Sequence, residues 1–241
     1  MRSLTAPDLL SAWEAGVPHA SPGRALALLG AAWPEQPLEE LARIPVGVRD
    51  GLLLSLREQT FGSRLVGLVP CPACAEQVEL VFGIGDIRLS PEAPPPEVLS
   101  LEHEGYAVRF RLPDSRDLAS LGGVREGRQR LLARCVLEAS VSGEGIGVAQ
   151  LPEAVVRSIA DAMEKADPQA CVELATTCPG CGHEWLATFD IGEFFWREVE
   201  AWAQRTLREV HTLASLYGWA EEGILAMSPW KRQRYLEMAG E

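Results

Sequence analysis

Four cysteines fall in two copies of one tetrapeptide, Cys71-Pro72-Ala73-Cys74 and Cys178-Pro179-Gly180-Cys181. Each copy is followed by a small residue and a strand-like run, to Phe82 in the first case and to Phe189 in the second. Each run then reaches an Asp-Ile pair, Asp86-Ile87 and Asp190-Ile191. A Cys-x-x-Cys turn sets two thiolates on one side of a tight loop. Two such turns facing each other supply the four sulfurs of a closed tetrahedral zinc site, with Zn–S distances of about 2.3 Å. The pattern predicts one structural zinc ion ligated by Cys71, Cys74, Cys178 and Cys181, in a zinc ribbon split into two halves. Between Cys74 and Cys178 lie 103 residues, far more than the roughly 15–20 of the usual template. The matching flanks therefore carry the reading, and a site within one chain or across a dimer satisfies it equally.

Two other chemistries use the same motif. In a thiol oxidoreductase, Cys-x-x-Cys opens a helix whose dipole lowers a thiol pKa; both copies here run into strands. A zinc-ribbon adaptor in transcription or nucleic-acid handling needs a basic face. This chain has 34 acidic against 22 basic residues, a net charge of −12, which disfavours nucleic acid and anionic membrane as partners. Cys135 and Cys171 lie in apolar contexts and read as buried thiols, and cysteine usage of this kind fits a reducing compartment. No apolar run approaches the ~18–20 residues of a membrane span, so a soluble, cytoplasmic protein is expected. The four histidines do not cluster, and His183, beside the second knuckle, reads as a neighbour of the site rather than a ligand. A closed four-cysteine site leaves no position for a reacting water. A non-enzymatic protein is expected.

The predicted architecture is α+β. It comprises a helical N-terminal region (1–62), a first half-ribbon (63–90), a mixed hairpin and helix insertion (97–169), a second half-ribbon (170–192) and a helical C-terminal tail (193–241). Thr5 with Asp8 forms a capping box for the first helix, Ser21-Pro22 opens a second that stops near Pro34, and further helices are expected from Pro37 to Arg43 and Val46 to Thr60. Ser90 to Glu97, rich in proline, reads as an extended linker. In the insertion, Val98–His103 and Tyr106–Leu112 form a hairpin turning at Glu104-Gly105. Ser115 caps a short helix, and a longer one is expected from Val124 to Ala139. Ser142 to Gly147 reads as a loop, and Pro152 opens a helix to Lys165. Arg125, Arg128, Arg130 and Arg134 read as a solvated helix face. In the tail, Phe195, Val199, Trp202, Thr206, Val210, Leu213 and Tyr217 keep helical spacing, Gly218 ends that helix, and Ser228-Pro229 starts the last one. Tryptophan and arginine are common interface anchors, so Trp196, Trp202, Trp219, Trp230, Arg232, Arg234 and Tyr235 are candidate partner-binding residues.

Three stretches carry a family resemblance: Ile44-Pro45-Val46-Gly47-Val48-Arg49-Asp50 with Leu52-Leu53-Leu54; Thr60-Phe61-Gly62 ahead of the first knuckle; and Glu209 to Trp219 with Glu222 to Ser228 and Arg232-Gln233-Arg234-Tyr235-Leu236. Together they resemble the baseplate-associated proteins of contractile phage tails and phage-tail-like injection systems, including the baseplate hub assembly proteins of T-even-type phages. The resemblance touches both ends and the first knuckle, with the insertion outside it. It implies a structural or assembly factor whose partners are other baseplate or tail proteins.

Overall fold

The computed structural model describes residues 1–89, 94–121 and 127–239. Part of the expected linker at 90–97, the start of the helix expected at Val124, and Arg125 lie outside them. The fold is α+β, and the chain divides into two compact units, one of residues 1–37 with 192–241 and one of residues 38–191.

The first unit opens with α1 (Ala6–Gly16), whose Thr5 and Asp8 form the expected capping box. The second helix, α2 (Ser21–Ala32), carries Pro22 in its first turn, where its missing N–H costs nothing. Gly16 lies against the ring of Trp196, where a Cβ would collide with the indole.

The second unit begins with α3 (Leu38–Ala42) and α4 (Val46–Phe61), the latter burying Leu53, Leu54 and Leu56 completely. Hairpin β1 (Arg64–Pro70) and β2 (Gln77–Gly83) follows, then the single turn α5 (Ile84–Ile87). The insertion is a four-stranded antiparallel sheet in the order β3 (Leu99–His103), β4 (Tyr106–Phe110), β5 (Val136–Val141) and β6 (Glu144–Gly145). Helices α6 (Ser115–Leu121) and α7 (Gly127–Cys135) lie between β4 and β5. Val155 and Ile159 of α8 (Glu153–Ala166) pack with Val108, Phe110 and Val136 in one core. Hairpin β7 (Val172–Thr177) and β8 (Glu184–Phe189) completes the unit.

The chain then returns to the first unit through α9 (Ile191–Tyr217), α10 (Glu221–Leu225) and α11 (Pro229–Ala239). Gly218 has φ +66°, and its N–H bonds the Ala214 carbonyl, the left-handed cap that favours glycine. Leu10, Ala203, Val210, Leu213, Ile224 and Leu225 form the core of this unit.

Five expectations need correction. The helix foreseen to Ala139 ends at Cys135, and Val136–Val141 is a strand paired with β4. The free edge of β4 recruits these residues, and Ser142-Gly143, both at positive φ (53° and 85°), turns them back onto Glu144-Gly145. Such a turn is the favoured two-residue hairpin loop, so the glycine-rich stretch is partly strand. The cap of α6 is Asp114, whose Oδ1 accepts from the N–H groups of Arg116 and Asp117; Ser115 instead accepts from Arg49 Nη1 at 3.1 Å. Cys171 is exposed, whereas Cys135 is buried as expected. Finally, Arg134 is no mere solvated side chain, since its Nε donates to Asp117 at 2.7 Å.

Asp117 is fully buried and also receives a two-pronged bond from Arg111, at 2.6 and 2.9 Å. Burial pushes its carboxyl up, but Arg111, the Asp114 N–H and Arg134 outweigh burial and bring it from 3.8 down to about 2. A lowered pKa stabilises the fold above the unfolded value, and that stability disappears as pH falls through the folded value. Wild-type protein should therefore lose about 2 kcal/mol at this residue between pH 4 and pH 2. Denaturant titrations across that range, compared with Asp117→Asn, measure the difference; parallel acid limbs in the two proteins would contradict it.

Candidate metal centre

The two knuckles are built alike, bond for bond. In the first, the Cys71 N–H bonds the Glu76 carbonyl at 2.8 Å and the Ala75 N–H bonds the Cys71 carbonyl at 2.8 Å. In the second, the Cys178 N–H bonds the His183 carbonyl at 2.8 Å and the Gly182 N–H bonds the Cys178 carbonyl at 2.9 Å. Ala75 and Gly182 occupy the same left-handed position, at φ 61° and 73°. The strands that launch these turns are in matching register, Val69 opposite Val78 and Pro70 opposite Gln77 in one hairpin, Thr177 opposite Glu184 in the other.

Apolar packing brings the knuckles together. Cys71, Val78 and Cys178 form a buried cluster against which Val69, Leu80 and Trp185 pack. Phe82 and Phe189 meet edge to face with ring centroids 5.3 Å apart. In each knuckle the first cysteine is buried and the second exposed.

Cys71, Cys74, Cys178 and Cys181 come together within one chain, their sulfurs all within 4.8 Å of one another, an arrangement that can hold a metal ion. Sulfurs of different knuckles lie 3.7 Å apart from Cys71 to Cys181 and 3.6 Å apart from Cys74 to Cys178. A tetrahedron with metal–sulfur bonds of about 2.3 Å has edges of about 3.8 Å, so the spacing fits a tetrahedral ion. Crowding shapes the thiols themselves. Burial pushes Cys71 up, but the N–H groups of Ala73 and Cys74 and the thiols of Cys74 and Cys181 bring it down to about 7. Cys74, whose thiolate the Glu76 N–H favours, is pushed up to about 12 by the thiols of Cys181, Cys178 and Cys71. One sulfur ionises easily and the next resists. A divalent cation neutralises that repulsion, and its uptake displaces protons. The His183 ring stacks on Trp185, centroids 6.0 Å apart, outside the four-sulfur group.

The candidate partner-binding residues separate into two sets. Trp196 is 1% exposed, and Arg232 is 3% exposed with its Nε on Glu209 at 3.0 Å and its Nη1 on the Met227 carbonyl at 2.8 Å. These two are packing residues, a correction to their sequence assignment. Trp202 is half-buried against the helical core. Trp219 stacks on Tyr217 at 4.5 Å and meets Tyr235 edge to face at 4.8 Å. Trp230 is 73% exposed, with the Arg234 guanidinium 5.9 Å from its ring centroid. A further surface escaped the sequence reading. On α9, Arg197, Arg205, Arg208 and His211 are exposed, and positions 197, 201, 204, 205, 208, 211 and 215 share one side of the helix. The buried stripe drew attention to the other side; plotting charge with the same period would have found this one.

The paired knuckles and the hairpins that carry them define a zinc-ribbon-like core inside an α+β chain. A family described as "T4 bacteriophage base plate protein" matches residues 34–196, about two thirds of the chain, and the protein belongs to that family. The match takes in both knuckles and the insertion, which the resemblance had left out, and ends before the closing helical stretch. No curated protein and no solved structure matches the chain. No helix among the described residues is long and apolar enough to cross a membrane.

Proposed function

We propose that this protein is a non-enzymatic, zinc-stabilised component of a phage-tail-like baseplate hub, acting in its assembly or within the finished particle by binding other tail proteins. The observation that carries the reading is a coincidence of boundaries. The family match, residues 34–196, nearly coincides with the compact unit 38–191 that holds the four thiols. Two-stranded hairpins bury too little surface to stand alone, and a coordinated ion supplies the deficit. Cys71, Cys74, Cys178 and Cys181 would hold one zinc ion, all four positions filled by protein. Zinc is favoured among divalent ions because four thiolates in a tetrahedron suit it. The chain is made in the cytoplasm on this reading, with no role for nucleic acid or membrane.

The helical tail is the proposed docking surface, centred on Trp230, Arg234, Trp219 and Tyr235, with Trp202 supporting it from within. Tryptophan, tyrosine and arginine are the residue types enriched at binding hot spots, and here an exposed tryptophan stands beside a guanidinium. Co-purification with the baseplate proteins of the same particle tests this. Trp230→Ala with Arg234→Ala should weaken capture about 10- to 100-fold and leave metal content unchanged. Unaltered capture by a folded double variant would move the docking surface elsewhere.

A further inference from the structure

The two hairpins of the ribbon are alike on their inner faces and unlike on their outer ones. On the second hairpin the outer face carries Glu173 opposite Thr188, Ala175 opposite Leu186, and Thr177 opposite Glu184, a solvated surface with one large apolar side chain. The first hairpin presents Arg64 opposite Gly83, Val66 opposite Val81, Leu68 opposite Glu79, and Pro70 opposite Gln77. Val66, Leu68 and Val81 are 45%, 65% and 51% exposed. A cross-strand Val–Val pair with a leucine on the diagonal is the kind of contact that stabilises sheets, yet here it faces outward on a two-stranded ribbon.

Charge on this face runs in one direction. Arg64 lies one row before the Val66–Val81 pair and Glu79 one row after it. Neither makes an ion pair among the described residues. A surface with a cation at one end, a carboxylate at the other and an apolar middle is complementary to itself under a two-fold rotation.

We propose that this face docks onto the same face of a second copy of the chain. The two-fold axis lies in the interface, across the strands at the Val66–Val81 row. That rotation sets each Arg64 above the partner's third row, beside its Glu79, and repeats the pair on the other side. Val66 and Val81 meet their own counterparts at the axis, and each Leu68 covers the stem of the opposite arginine. The patch is smaller than the roughly 800 Å² per partner of a standard interface. The dimer is accordingly weak alone, with a dissociation constant on the order of 100 µM, and suited to a particle in which other contacts hold the copies close.

Sedimentation equilibrium of the full chain from about 10 µM to about 1 mM reads the result. The mass should rise from the 26.2 kDa of one chain toward twice that value. Leu68→Glu should abolish the rise. Arg64→Glu and Glu79→Arg should each weaken association about 10-fold, and the two changes combined should restore it. All three positions are at the surface, so each variant should melt with the wild type, and the charge swap remains a test should Leu68→Glu fail to fold. A monomer at every concentration overturns the proposal, as does a dimer indifferent to Leu68→Glu or a double swap that does not recover.

Discussion

Replacing Cys71 by serine should release the metal and lower the melting temperature by about 10–15 °C. Cys71 is 2% exposed and lies in the cluster that joins the two knuckles. Serine keeps the volume but is a poor ligand for a soft-leaning ion, and three sulfurs hold it far less tightly than four. Coordination energy in a site of this kind is folding energy. Losing about 4 kcal/mol of it, at roughly 3 °C per kcal/mol for a chain of this size, gives the stated shift. Cys171→Ser is the control, since Cys171 is exposed and not one of the four clustered sulfurs; it should leave both metal and melting unchanged. Equal metal content in Cys71→Ser and wild type would remove the site.

The second large effect is expected far from the thiols. Gly47, in the first turn of α4, donates its N–H to Asp167 Oδ2 at 2.7 Å. A Cβ there would press on the same carboxylate and lie 2.6 Å from the Ala170 N. Asp167 is buried and its carboxyl is already pushed up, by burial first of all, against the Gly47 N–H and Arg49. Gly47→Ala must displace α4 or break that bond, and should cost about 3 kcal/mol or more by overpacking and an unsatisfied buried group. Gly51, one turn later in the same helix, has nothing within 4 Å of its Cβ position. Gly51→Ala should instead stabilise by about 0.5–1 kcal/mol through lower unfolded-chain entropy. Urea denaturation of the pair checks both signs; similar midpoints for the two variants would contradict the close approach at Gly47.

Local chemistry explains which parts of this fold were legible in the sequence. Thr5 with Asp8, Ser21-Pro22 and Gly218 are signals contained within one turn, and their helices begin or end where the signals stand. The knuckle hairpins were legible because alternation on both sides of each Cys-x-x-Cys stays in register through the turn. Residues 127–141 were not, because Leu131, Leu132, Cys135 and Val136 keep helical spacing up to the point where β4 captures the chain. Only the Ser142-Gly143 turn hinted at the strand before it. The fates of Trp196 and Arg232 depend on partners distant in sequence, Gly16 and Glu209, which spacing within the tail does not reveal. The same holds for Arg134, whose carboxylate is on the preceding helix. At the four-cysteine site, the residue types and the pairing were legible, and the closure of the site within one chain was not, since 103 residues of spacer leave the geometry to the insertion.

Native mass spectrometry of protein purified under reducing conditions, without chelator, tests the central claim most directly. One zinc ion per 26.2 kDa chain, lost together with secondary structure on strong chelation, is the predicted result. A metal-free chain that is fully folded, with thiols that oxidise and reduce reversibly in pairs, would contradict it and make the four cysteines a redox centre instead.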